Sequence, residues 1–230
     1  MKLFKLEDYL SKYEFTAKYL LCCSDAESLS LAELLSLATP EEQTMWETLS
    51  LGYTEPKGLS LLRHTVAKTL YPELDEDNIL MFSGAEEGIF CAFHSLLKSN
   101  DHAIVLTPCY QSLSEIPQAT RASVTNIELS EKDAWKLDLD KIRAAIQSNT
   151  TVVVINFPHN PTGQVIEEDE LQALVQLCDS HGIYLFSDEV YRLLGQPQKP
   201  WASPVASVYA KGLSLGVMSK AFGLPGLRIG

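Results

Sequence analysis

Residues 213 to 230 read LSLGVMSKAFGLPGLRIG and place one lysine, Lys220, between an apolar run, Leu213 to Met218, and turns forced by Gly223, Pro225 and Gly226. An amine among apolar and small residues is desolvated, which disfavours its charged form. The expectation is a lowered pKa and a neutral nucleophile able to form a Schiff base with a carbonyl. A plainer reading is a lysine at the exposed end of a strand. Other candidate groups are spread along the chain: Asn160 in NPTG (160–163), Asp188 and Tyr191 in SDEVY (187–191), Tyr110 after a Thr-Pro pair, Arg228, and Tyr53 in the loop LGYTEPKG. Taken singly, Asp188, Tyr191 and Asn160 each read equally as a strand-end cap or a loop hydrogen-bonding residue. The segment SGAEE (83–87) has two readings at once: Ser83 with Glu86 matches a capping box, and Gly84, Ala85 and Glu86 could turn free backbone amides at a helix N-terminus toward an anion.

These residues need elements to bring them together. The chain alternates short apolar runs with amphipathic stretches from residue 78 onward. Candidate strands are Ile79–Phe82, 103–108, Val124–Leu129, Thr151–Asn156, Ile183–Phe186 and Leu213–Met218. Helices are expected to present Ile89, Phe93, Leu96 and Leu97, to run over 138–147, and to turn Leu171, Leu174, Val175 and Cys178 inward. A run as β-branched and apolar as TVVVIN suits a strand covered on both faces. The pattern therefore predicts an α/β fold, a mainly parallel sheet with helices on both faces and right-handed crossovers. In such sheets ligands sit beyond the carboxyl ends of the strands. Ser83, Tyr110, Asn160, Asp188 and Lys220 all lie at or just after such ends.

Upstream, residues 1–50 read as a helical N-terminal arm or part of a small domain. Leu6, Leu10, Tyr13, Ala17 and Leu20 or Leu21 have helical spacing, and so do Leu31, Leu34, Leu35 and Ala38, with a further helix after Thr39 carrying Trp46 and Leu49. These stripes are core or interface and carry no chemistry. Leu59, Leu62, Val66 and Leu70 mark one face of the next helix.

A lysine amine, a carboxylate, a phenol, an amide, an aromatic ring, a helix N-terminus and a guanidinium are together the groups needed to hold an anionic aromatic aldehyde. In NPTG, SDEVY and SKAFGLPGLRIG, in that order and at that spacing, the sequence resembles the fold-type I pyridoxal-phosphate enzymes, specifically the class I and II aminotransferases, over at least residues 51–230. The resemblance implies a large cofactor-binding domain over 51–230, incomplete at its C-terminus and preceded by the arm of 1–50. It implies pyridoxal 5'-phosphate as cofactor, and an amino acid and a 2-oxo acid as substrates. Lys220 would be the Schiff-base lysine, which also moves a proton between the substrate's Cα and the cofactor's C4′. Asp188 would keep the pyridine nitrogen protonated, Asn160 and Tyr191 would hydrogen-bond the ring oxygen, and Tyr110 would stack on the ring. The amides of Gly84, Ala85 and Glu86, the Ser219 hydroxyl and the Arg228 fork would bind the phosphate. Lys220, Asp188 and Tyr191 would be the catalytic residues. Tyr53 would reach the cofactor of a neighbouring subunit, implying a homodimer. Cis peptides are expected at Thr107-Pro108 and Asn160-Pro161.

Two departures from the family pattern stand out. Val217 occupies a position, three before the lysine, where a Ser or Thr is common. Gly230 falls inside what would be a further, antiparallel strand between the first and sixth strands, so a gap in the sheet is expected. Another fold-type I activity, such as a lyase or cyclising synthase, and a catalytically incompetent cofactor-binding remnant stay open as alternatives. A net charge of -12 argues against nucleic acid and anionic membranes as partners. Five cysteines without CxxC spacing fit reduced thiols in a cytoplasmic protein. No metal is expected, since His64, His94, His102 and His181 lack ligand spacing. His159 reads as a loop residue, and Glu189 as solvent-facing or structural.

Overall fold

The computed structural model describes residues 3–195 and 201–230; Met1 and Lys2 of the expected arm, and 196–200, lie outside the described residues. In chain order the helices are α1 (Lys5–Tyr13), α2 (Leu31–Ser36), α3 (Pro40–Glu47), α4 (Ser60–Leu70), α5 (Ala85–Leu96), α6 (Gln111–Ala119), α7 (Leu139–Ala145), α8 (Glu168–His181) and α9 (Val205–Val208). The strands are β1 (His102–Thr107), β2 (Ser123–Glu128), β3 (Thr150–Asn156), β4 (Tyr184–Asp188) and β5 (Gly212–Leu215). They form one sheet in the order β2-β1-β3-β4-β5, and every pairing is parallel.

The alternation of side chains along a strand divides the core in two. Ala103 and Val105 of β1, with Val152 and Val154 of β3, pack with Ile89 and Phe93 of α5 and Leu113 and Ile116 of α6. Ile104, Leu106, Val153 and Ile155 face the other way, onto Ile142 of α7, Leu171 and Leu174 of α8, and Val205 of α9. Both faces of the sheet are covered by helices, as the apolar runs predict. Sealed on both sides, the sheet leaves its polar chemistry only the strand ends.

Several expectations fail locally, each for a physical reason. Ile79–Phe82 is not a strand: Met81 N–H donates to Lys57 O, while Phe82 exchanges two backbone bonds with Gly230 at 2.8 and 3.0 Å. A cavity of about 330 Å³, lined in part by Ile79, Leu80, Phe82, Leu213 and Leu215, lies between that segment and β5. β5 stops at Leu215, three residues short of Met218, because Met218 N–H turns to Ile229 O. The first helix of the arm ends at Tyr13 rather than reaching Leu20 or Leu21. Downstream of it the chain is drawn across the sheet's end, where Leu29 N–H reaches Gly223 O. The helix predicted after Thr39 forms, with Thr39 and Glu42 as its capping box. None of the residues of α1, α2 or α3 is buried.

Phe93 is fully buried and its ring lies 4.9 Å from that of Phe186 on β4. Phe93→Ala should therefore destabilise the chain by about 3 to 5 kcal/mol through lost burial and the cavity left behind, read as a lower midpoint in urea unfolding.

Candidate active site

Asn156 and Asp188 end β3 and β4 as register partners. Both are buried, at 3% exposure each. Asn156 Nδ2 donates to Asp188 O at 2.8 Å and to Pro158 O at 3.3 Å, while its Oδ1 accepts from Asn160 N–H at 3.0 Å. One buried amide thus ties two strand ends and the NPTG loop together. Its signal in the sequence is a polar residue closing an otherwise apolar run, and sequence reasoning missed it. Thr107-Pro108 and Asn160-Pro161 are cis as expected, and Phe157-Pro158 is cis as well.

Around this frame lies a cavity of about 270 Å³. Ala85, Glu86, Tyr110, Asn160, Asp188, Tyr191, Ser219, Lys220 and Arg228 line it, nine of the residues singled out in the sequence. Gly84 adjoins it: a Cβ there would stand 2.6 Å from Arg228 Nη2, so the guanidinium lies directly against the glycine, whose φ is +93°. Tyr53 is not brought to the cavity and is fully exposed. A larger cavity of about 580 Å³ shares Ser24, Asn160 and Tyr191 with the first but has none of Lys220, Asp188 or Arg228 in its wall. The reactive groups therefore place the chemistry in the smaller one.

Asp188 carries the cost of this arrangement. Burial raises its carboxyl, the Val190 N–H on Oδ1 opposes that, Glu189 raises it further, and the result lies at about 7. That bond is the carboxylate's one hydrogen bond among the described residues. Asn160 Nδ2 donates to Tyr191 Oη at 2.9 Å, and the Tyr191 hydroxyl donates to Ser24 Oγ at 2.8 Å. The Tyr110 hydroxyl donates to Glu7 Oε1 at 3.1 Å. Arg228 pairs with no carboxylate among the described residues; its one bond there is to Pro225 O. Ser219 is buried at 9% exposure, and its hydroxyl makes no hydrogen bond among the described residues.

Two readings are corrected. Lys220 does not have a lowered pKa. Burial pulls it down, but its bond to Asp25 Oδ1 at 2.7 Å and the neighbouring Tyr191 and Asp25 outweigh that and leave it raised. The capping box of Ser83 and Glu86 does not form. Gly84 is the N-cap of α5 without a side-chain bond, Ser83 N–H donates to Glu87, and the Glu86 carboxylate accepts from the Ser112 hydroxyl at 2.6 Å. The Glu86 carboxylate is thereby held by Ser112, while that of Glu87 stays at the helix start on the Ser83 amide. Of the two readings of Glu189 the structural one holds: it is buried, accepting from Val205 N–H at 3.0 Å and the Ser214 hydroxyl at 2.8 Å. His159 is a loop residue, and it is buried and structural. The Pro108 carbonyl can only accept, so Nε2 carries the proton toward it at 2.7 Å, leaving Nδ1 to accept from Thr162.

The family model described as aminotransferase class I and II matches residues 38–230. Capreomycidine synthase of Streptomyces vinaceus is 32% identical over 228 residues, 98% of this chain and 58% of that protein. An aspartate/prephenate aminotransferase of Thermus thermophilus is 30% identical over 182 residues, covering 77% of this chain and 47% of its own length. The crystal structure of a PLP-dependent aminotransferase from Streptococcus suis superposes with a TM-score of 0.91 at 32% identity, over 99% of this chain and 61% of that one. The chain thus spans about half the length of the curated relatives it matches.

The raised carboxyl of Asp188 makes stability fall with pH. Between about pH 4, where the unfolded carboxyl ionises, and about 7, the folded chain binds the extra proton, so raising the pH across that window favours unfolding by a total on the order of a few kcal/mol. Asp188→Asn removes that penalty. Its gain in urea stability over the wild-type, cofactor-free chain should grow across that window and level off above it.

Proposed function

The chain belongs to the class I and II aminotransferase family, and on that premise we propose that it carries the cofactor site of an enzyme moving an amino group between an amino acid and a 2-oxo acid. The observation that carries this reading is the shared outlook of Lys220 and Asp188 onto one cavity whose wall also holds Arg228 and the start of α5. The groups there fit pyridoxal 5'-phosphate: a carboxylate oxygen without a hydrogen bond, a hydroxyl without one, and a guanidinium without a counter-ion among the described residues. When bound, this cofactor supplies an aldehyde that captures amines and a ring that takes up electrons released at the substrate's Cα.

Each residue then has a physical task. Lys220 would hold the aldehyde carbon and, once freed, carry a proton from the substrate's Cα on Nζ. A carboxylate with an open lone pair in a dry site is suited to keeping a ring nitrogen protonated, which is the role of Asp188. Asn160 and Tyr191, already bonded to each other, would orient the ring oxygen, and Tyr110 would lie on the ring face. Ser219, Arg228 and the first amides of α5 would take the phosphate.

Residues 51–230 are read as the cofactor-binding large domain and 1–50 as the arm laid over it. A cytoplasmic homodimer is the assembly that suits the chain. Its five cysteines are free, and Leu37, Met45, Trp46, Leu49, Leu51 and Tyr53 leave an apolar stretch in water. No helix among the described residues is long and apolar enough to cross a membrane. Tyr53 would then serve a neighbouring subunit's cofactor. A second reading, a cyclising synthase or lyase on the same cofactor, draws support from the match to capreomycidine synthase, 32% identical over 98% of this chain. Product analysis with amino-acid donors separates the two.

Added pyridoxal phosphate should give the purified chain a visible absorption band that borohydride bleaches, leaving a pyridoxyl group on Lys220 in the peptide map. Lys220→Ala should give neither, and a folded wild-type chain without the band would overturn the reading. Gly84→Ala should weaken cofactor binding at least about tenfold, since the new Cβ meets Arg228 at 2.6 Å and the residue keeps a φ of +93°; fluorescence titration measures it.

A further inference from the structure

The amine of Lys220 is met by a segment outside the sheet. Asp25 Oδ1 lies 2.7 Å from Nζ, and Ser24 Oγ lies 3.4 Å from it while accepting from the Tyr191 hydroxyl. This contact is not a loose surface pair. Leu29 N–H donates to Gly223 O, and a Cβ on Gly223 would stand 2.5 Å from Glu27 O, so residues 27–29 lie flat on the loop that follows the lysine. Gly223 permits that approach by having no side chain.

We propose that Asp25 is a positioning residue for the reactive lysine: held over the site by the Ser24–Tyr191 and Leu29–Gly223 contacts, it keeps the Lys220 amine charged and in place. This rests on Lys220 being the cofactor's lysine. The surroundings of Nζ bear on how much of the effect belongs to Asp25. From the arm, Cys23 and Glu14 stand near Asp25, with donor atoms of all three within 4.8 Å of one another. From the end of β4 come Asp188 and Tyr191, whose ring centroid is 5.6 Å from Nζ. Glu86 of α5 and Arg228 also line the cavity and oppose each other in sign. Asp25 is the carboxylate that touches the amine.

Held this way, Lys220 is a poor nucleophile until the pair loosens. Once the ammonium gives its proton to solvent, the neutral amine can condense with a carbonyl, releasing water, and Asp25 would be free to receive another ammonium at the same place, such as the amino group of an incoming donor. The arm would thereby hand one cation for another at a fixed seat.

Competitive acetylation of the whole chain with acetic anhydride, followed lysine by lysine by mass spectrometry from about pH 6 to 11, tests this, with exposed Lys98 as internal reference. Removing the negative charge lowers the amine's pKa, so Asp25→Asn should make Lys220 react roughly three- to tenfold faster at a pH about one unit below the wild-type midpoint, while Asp25→Glu keeps the wild-type profile. An unmoved profile in Asp25→Asn, with circular dichroism and Lys98 labelling unchanged, would overturn the proposal. So would a wild-type Lys220 midpoint at or below that of Lys98, a measurement that needs no variant. Borohydride trapping of pyridoxal phosphate, run in parallel, separates the two ideas. Cofactor fixed on Lys220 with an unmoved profile sinks the role of Asp25 alone, and a moved profile without fixed cofactor sinks the functional reading alone.

Discussion

A carboxyl group sealed at the end of a parallel sheet is the constraint on which the rest of the site depends. Asp188 is buried with one hydrogen bond to its side chain among the described residues. Burial of an ionisable group without full pairing costs several kcal/mol at least, and no packing advantage is visible that would require a carboxylate there. Its main chain is fixed nevertheless, by the Asn156 amide on one side and the β4–β5 register on the other. Such an expense at a strand end is what a site prepared for a cationic or proton-bearing partner looks like.

Around that group the charges are sorted by which element carries them. The sheet domain contributes Arg228, which meets no carboxylate among the described residues, and the start of α5, where Glu86 bonds the Ser112 hydroxyl and Glu87 the Ser83 amide. The arm contributes carboxylates: Glu7 on Tyr110, Asp25 on Lys220, and Glu14 beside Cys23. An anionic group entering the cavity is therefore drawn toward Arg228, and an ammonium toward the arm. A chain of net negative charge can still offer an anion a local seat where a guanidinium stands beside a helix start, as Arg228 does against Gly84.

The fold was legible because two periodicities agreed. The central strands β1 and β3 are apolar on both faces and the helices between strands carry an apolar stripe, so TVVVIN and the Leu171 stripe point to one architecture. Where packing did not back the pattern it misled. The stripe through Ala17 and Leu20 has the spacing of a helix, but the chain there is spent on docking Ser24, Asp25 and Leu29, and Leu21 ends up 94% exposed. Ile79–Phe82 has strand composition, but among the described residues no strand lies beside it, and its backbone bonds to distant residues are those of Met81 and Phe82 to Lys57 and Gly230. At the site, residue types and order picked out nine residues that line one cavity, since those groups sit where strands stop or just beyond. The pKa of Lys220 was not legible: apolar neighbours in sequence suggested desolvation alone, and the deciding carboxylate lies 195 residues away along the chain. Asn156 escaped for a related reason, because what a polar strand-end residue holds depends on which strand the topology sets beside it.

Val217 raises the question of whether this wall can hold a phosphate without the hydroxyl its family commonly places there. Val217 lines the cavity and offers no donor. A neutral hydrogen bond contributes about 0.5 to 1.5 kcal/mol net, whereas a bond to a charged group is roughly twice as strong and a guanidinium can make two in parallel. Arg228 stands with no carboxylate to compete for it among the described residues, pressed against Gly84 in a left-handed backbone conformation at φ 55°. A strained backbone at an arginine is retained only where its surroundings enforce it, here by the turn through Pro225 whose carbonyl it bonds. That turn delivers the guanidinium to the same spot that the α5 amides face. The missing hydroxyl is thus the smaller quantity, and the geometry that Gly84, Pro225 and Arg228 maintain together is the larger one.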